Sequence, residues 1–225
     1  MNHPFVKAIA GLISLFAVLA AALFLPAWTI HFWQAWVCLA IFFLCAAAIT
    51  LYLNIRDPAL LERRVRAGPE AEREKNQKII QSLARLAFIA LFVFPSIDHR
   101  FAWSRVPAAV SIAGDVLIGI GFAIVSAVFR ANTYTSGIIE VAGGQTVIST
   151  GPYAFVRHPM YTGALILLIG IPPALGSWWG LLLLVPMAAA IVWRLLGEEK
   201  FLAANLPGYA DYLCKVKFRL LPMVW

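Results

Sequence analysis

Six apolar runs dominate the chain, at 5–25, 30–53, 79–97, 109–129, 161–175 and 178–196. A helix of about 20 apolar residues crosses a bilayer core, and lipid satisfies no backbone amide outside a helix or closed barrel. Hydrophobic residues fill 62% of the 225 positions, more apolar surface than a soluble domain of this length can bury. The expected fold class is therefore all-α, a polytopic transmembrane protein of about six membrane-spanning helices. The run at 161–175 is the shortest of them. Lys7 and the small residues at 20–22 imitate a signal peptide, but the run is too long for an h-region and no soluble sequence follows. It reads as an uncleaved first span.

Basic residues set the expected orientation, because cytoplasmic loops retain positive charge. Arg56, Arg63, Arg64, Arg66, Arg73, Lys75 and Lys78 lie between the second and third runs. Arg130 and Arg157 follow the fourth run, and Lys200, Lys215, Lys217 and Arg219 follow the sixth. The opposite loops carry only Arg100 and Arg105. Both termini are expected on the cytoplasmic side, in a membrane such as a bacterial inner membrane. The formal net charge of +7 then reflects this asymmetry and contact with anionic lipid head groups, with no nucleic acid needed as a partner. Cys38, Cys45 and Cys214 form neither a disulfide framework nor a metal-ligand spacing, so no metal is expected.

The chain reads as one domain, 1–225. Residues 1–130 supply the N-terminal spans and a cytoplasmic loop, and 131–225 hold most of the polar chemistry. Asp57-Pro58 has the form of a helix N-cap with proline at the first helical position, starting a short helix up to Gly68-Pro69. Glu70, Glu74 and Lys78 follow at helical spacing. Together they suggest a basic interfacial helix on lipid phosphates. The runs 138–141 and 145–148 flank Gly143-Gly144 and suggest a small hairpin. Gly119-Ile120-Gly121, inside an apolar run, reads as a helix-packing element.

Two polar clusters interrupt the apolar pattern. In Arg157-His158-Pro159-Met160-Tyr161, Pro159 excludes His158 from a helix while starting the next, which sets the imidazole beside free helix N-terminal amides. Read singly, Arg157-His158 is also a plain interfacial anchor, and Tyr153 and Tyr161 are also aromatic-belt residues. Arg194 and Glu198 share a helix face at four-residue spacing, which allows a simple ion pair. Glu199 beside Glu198 complicates that pairing, because one arginine does not neutralise two carboxylates. A cationic ligand held by Glu198 and Glu199 would account for the doublet. Asp115 lies toward the outer end of its run, away from this cluster, and reads as a snorkelling or hydrogen-bonded interface residue.

Gly151-Pro152-Tyr153, the segment 157–161 with Gly163, Arg194-x-x-x-Glu198-Glu199 with Leu202, and then Tyr209, Tyr212, Arg219 and Pro222 resemble the integral-membrane isoprenylcysteine carboxyl methyltransferase family in its compact prokaryotic form. The segment 57–63 resembles that family's cytoplasmic loop, and related phospholipid methyltransferases share similar elements. The resemblance implies an S-adenosylmethionine cofactor bound by Gln145, Thr146, Val147, Ile148, Tyr153, His158, Pro159, Met160, Tyr161 and Glu198. It implies that Arg194 faces a lipophilic or lipidated methyl acceptor, most simply a carboxylate. If the acceptor is instead an amine or thiol, Glu198 or Glu199 is the candidate base. A transporter would place polar groups near the midplane in broken helices, and a scaffold gives the doublet no purpose, so both fit the pattern less well.

Overall fold

The structure, a computed structural model, describes residues 3–68, 70–72 and 74–225, with the backbone alone at His3. The long helices are α1 (His3–Ala27), α2 (Trp33–Arg56), α4 (Lys75–Phe101), α5 (Ala108–Ala131) and α7 (Leu184–Asn205), the last preceded by a 3-10 turn at Trp179–Leu183. Among the described residues, five helices are long and apolar enough to cross a membrane. Between them lie the short α3 (Pro58–Val65), α6 (Pro159–Ala174) and, after the last span, α8 (Tyr209–Lys215). The protein is thus a polytopic all-α membrane protein. Only 11% of the α1 window is buried within the protein, so most of that apolar surface is left for lipid. Trp28, Trp33, Trp36, Trp103, Trp178 and Trp179 are exposed in or beside the three connections at one end, in the pattern of an interfacial aromatic belt.

The expected fifth span, 161–175, is the element that differs. α6 has 16 residues, about 24 Å of helix against a hydrocarbon core of about 30 Å. Proline sets both ends. His158 is held outside the helix at φ −123°, Pro159 occupies the first helical position, and Pro172-Pro173 with Gly176 at φ 74° close it.

α6 packs on α5 through glycines in two facing pairs. A Cβ at Gly114 would stand 2.4 Å from Ala174 N and 2.7 Å from Gly170 O; one at Gly121 would stand 2.6 Å from Gly163 O. The backbones therefore touch, as small-residue seams in membranes allow. Gly119, expected to share this role, has open space around it, so Gly121 alone of that pair packs. Gly121→Leu is expected to cost about 1–3 kcal/mol or more by overpacking. Gly119→Leu is the control that should leave the thermal midpoint in detergent nearly unchanged.

At the basic end, Asp57 caps α3 by accepting the Leu60 amide at 2.9 Å, as its spacing predicts. The helix stops at Val65, short of Gly68; Pro69, like Arg73, lies outside the described residues. The described residues 70–72 and 74, before Lys75, are not helical. Glu70 reaches forward to the Arg85 guanidinium at 3.1 and 3.2 Å instead of pairing along its own helix. The hairpin is absent as well. Residues 138–141 and 145–148 form no strands, although the turn between them exists, with Gly144 at φ 72° and Gln145 N donating to Ala142 O at 3.1 Å. Two four-residue runs hold only marginally as an isolated pair. Here the Ile139 amide points to Glu72 Oε2 at 3.5 Å, while Gly137 bridges to Ala67.

Beyond α8 the chain returns along the segment before α6. Arg157 N donates to Phe218 O at 2.9 Å and His158 N to Arg219 O at 3.0 Å, with Thr162 Oγ1 donating to Leu220 O at 2.7 Å. This return closes one wall of a cavity.

Candidate active site

The cavity lies at the basic end, where the loop 132–148, the start of α6, the end of α7 and α8 converge. It encloses about 890 Å³ of empty space, a figure that includes space open to solvent. Gln145, Thr146, Val147, Ile148, Tyr153, His158, Pro159, Met160, Tyr161, Arg194 and Glu198 all line it, so segments far apart in sequence are brought together. Asn132, Tyr134, Glu140, Tyr209 and Tyr212 line it too.

Glu198 and Arg194 do not form the ion pair that their spacing permits. The Tyr161 hydroxyl stands between them, donating to Glu198 Oε2 at 2.7 Å and accepting from Arg194 Nε at 3.1 Å. Arg194 takes its carboxylate from elsewhere, with Nη1 2.8 Å from Glu72 Oε1. Its Nη1 also donates to Gln77 Oε1 at 3.3 Å and its Nη2 to Gly137 O at 3.2 Å. Four of the five guanidinium donors are thereby engaged, leaving one on Nη2. Glu72 is 4% exposed, and sequence reasoning missed it because nothing distinguishes it among the charges of its loop. Gln81 Nε2 also donates to its Oε1.

Glu199 does not line the cavity. It faces the other side of α7, where Oε1 accepts from Arg157 Nη1 at 3.1 Å and lies 3.4 Å from His158 Nε2, and Oε2 accepts from Arg219 Nε at 2.9 Å. Two arginines and an imidazole surround one carboxylate. The doublet is therefore explained within the protein for Glu199, and the argument for a cationic ligand survives only at Glu198. Arg157 is further fixed by Val216 O at 2.6 Å and Leu213 O at 2.9 Å. Arg157 and His158 are thus more than a surface anchor, since the cluster they join orients the rim where α6 begins. There the Met160 and Tyr161 amides are first-turn groups without helical partners.

Two further supports of the lining went unrecognised in the sequence. Arg64 of α3 donates to Ser136 O at 2.7 Å and lies 5.3 Å over the Phe129 ring, beside Met160 Sδ at 3.9 Å. Asn132 Nδ2 donates to the Tyr153 hydroxyl at 3.1 Å, and the Tyr212 hydroxyl donates to Tyr153 O at 2.8 Å. Burial pushes the Tyr153 phenol up to about 12, opposed in part by the Asn132 hydrogen bond, and burial likewise raises Tyr209 and Tyr212. These phenols stay protonated and serve as hydrogen-bonding and stacking surfaces, not as bases. Gln145 lines the cavity but commits its Oε1 to the Ala142 amide at 2.9 Å, which holds the Gly-Gly turn. Asp115 is buried with neither oxygen hydrogen-bonded among the described residues, about 25 Å along α5 from Asn132 and outside the cavity.

Residues 109–207 match the family model of phospholipid methyltransferase. The match runs from the start of α5 through α6 and α7 to the residues just before α8, so it contains most of the cavity lining and leaves α1 to α4 outside. A search of curated proteins found no match. The part of the chain that builds the cavity is thus similar to a family of methyltransferases.

Proposed function

We propose that the protein transfers a methyl group from S-adenosylmethionine to a lipophilic acceptor at the cytoplasmic face of the membrane. The observation that carries this reading is Glu198, whose Oε2 is fixed by Tyr161 while Oε1 has no hydrogen bond among the described residues. When bound, the cofactor supplies an electrophilic methyl group on a cationic sulfur. The residues present fit such a ligand. Glu198 matches positive charge, the free Met160 and Tyr161 amides suit a carboxylate, and Tyr153, Tyr209 and Tyr212 offer aromatic faces. Gln145, Thr146, Val147 and Ile148 would close over it from the loop.

Arg194 would orient a carboxylate acceptor with its remaining Nη2 donor, holding the oxygen in line without a base, because such an acceptor is already anionic. The walls formed by Ile138, Ile139, Met160 and Leu202 would exclude water and receive the lipophilic part of an acceptor entering from the bilayer. This is the isoprenylcysteine-carboxyl-like reading. The family match gives independent support to a second reading, an amine acceptor on a phospholipid, in which Glu198 would take up the released proton. Incubation with methyl-labelled S-adenosylmethionine and a membrane lipid extract separates the two by the chemistry of the labelled fraction. Glu198→Ala should weaken binding of S-adenosylmethionine about tenfold to a hundredfold by calorimetry in detergent, the usual scale of a lost charge-assisted contact. Folded protein that gives no binding heat with the cofactor or its demethylated product would overturn the proposal.

A further inference from the structure

A single chain of contacts runs from the loop before α4 into the cavity. Glu72 holds Arg194, Arg194 holds the Tyr161 hydroxyl, and Tyr161 donates to Glu198. Arg194 is the one cation in this chain, and it sits between two carboxylates. If Glu72 were absent, the charge of Arg194 would be balanced by Glu198, and the cavity would face its ligand with a neutralised pair. With Glu72 drawn in to 2.8 Å, the arginine is balanced from behind and Glu198 keeps its negative charge for the cavity. Two other arginines lie nearby. Arg157 lines the cavity but is paired with Glu199, and Arg64, which holds Ser136 O and the Phe129 ring, adds positive charge whether or not Glu72 is present, so it leaves the effect of Glu72 on Arg194 unchanged. Glu140, which accepts from Ser136 Oγ at 2.8 Å, adds negative charge to the same side.

We propose that Glu72 is a positioning residue that selects for a cationic ligand, by removing Arg194 as the counter-ion of Glu198. This rests on the methyltransferase reading and deepens it. Glu72 touches neither cofactor nor acceptor, yet it sets how strongly the cavity distinguishes the cationic methyl donor from its neutral thioether product. Tight donor binding with ready product release is the consequence.

The test compares S-adenosylmethionine with S-adenosylhomocysteine on the same detergent-solubilised variants by calorimetry. Glu72→Gln preserves the shape and a carbonyl acceptor but not the charge. It should weaken S-adenosylmethionine on the order of tenfold, the size of one uncompensated charge acting across about 10 Å at an effective dielectric of about 20. Affinity for S-adenosylhomocysteine should stay within about twofold, which also shows that the cavity is intact. Glu72→Asp should restore most of the discrimination. Equal weakening of both ligands, or an unchanged ratio, overturns the inference, because a merely structural loop residue would treat the two alike. Wild-type protein that binds neither ligand removes the methyltransferase reading and this inference with it, whereas wild-type binding of both, with an unaltered ratio in Glu72→Gln, removes this inference alone.

Discussion

Glu199→Ala should be among the most damaging substitutions in the molecule, costing about 3–5 kcal/mol of stability, because it strands buried positive charge instead of removing a neutral contact. The Arg157 side chain is 12% exposed and that of Glu199 9%, with Arg219 closing the cluster from the returning tail. Without the carboxylate, two guanidinium groups face each other, Arg157 from a largely buried position and Arg219 from one 31% exposed. The segment 157–158, which the tail holds through Phe218 O and Arg219 O, should lose its register, and the rim of the cavity with it. Thermal unfolding in detergent should show a large drop in midpoint, and hydrogen exchange should show lost protection at Arg157 and His158. Glu199→Gln should be milder, since it keeps one acceptor. A midpoint within a degree or two of wild type for Glu199→Ala would mean that the cluster is solvated and contributes little.

Arg194→Ala is expected to abolish methyl transfer and also to destabilise the protein by about 3–5 kcal/mol, for two separable reasons. The first is the lost orientation of the acceptor and of Tyr161. The second is Glu72, whose side chain is only 2% exposed and would be left as a buried charge with no cation. Combining Arg194→Ala with Glu72→Gln should return much of the stability, since the stranded charge is gone, without returning turnover. Arg194→Lys should recover little activity. A single ammonium does not serve Tyr161, Glu72, Gln77 and the Gly137 carbonyl together, as the planar fork does. The measurement pairs unfolding midpoints with methyl transfer to the labelled acceptor fraction. If the double variant regains turnover, Arg194 acts only by holding its neighbours and never orients the acceptor.

The fate of the Glu198-Glu199 doublet shows where sequence reading reached its limit. Adjacent residues on a helix point about 100° apart, so two neighbouring carboxylates at one helix end serve different surroundings. Glu198 faces the cavity and Glu199 faces the arginine cluster, a division that depends on where Arg157 and Arg219 come to lie. Similarly, the four-residue spacing of Arg194 and Glu198 allowed a direct pair. Tyr161, 33 residues before Arg194, came between them. The hairpin failed for a related reason, since the Ile139 amide and the Gly137 carbonyl are drawn to Glu72 and to Arg194 or Gln81.

The sequence by itself determined the all-helical membrane architecture, because apolar runs of spanning length have few other ways to satisfy their backbone in lipid. It also determined the Asp57 cap of α3 and the start of α6 at Pro159, which are local consequences of a carboxylate and a fixed φ. It located the lining around 157–161 and 194–198 as well, since polar groups clustered at helix ends stand out against an apolar background, whereas Gln145 to Ile148 were marked only by the family resemblance. The tertiary structure alone decided that α6 is seated on paired glycines, that Glu199 is consumed by structure while Glu198 is left to the cavity, and that Glu72 belongs to the site. Those are pairings of charge across long stretches of chain, and Coulombic partnership follows distance in space, which no spacing along the sequence records.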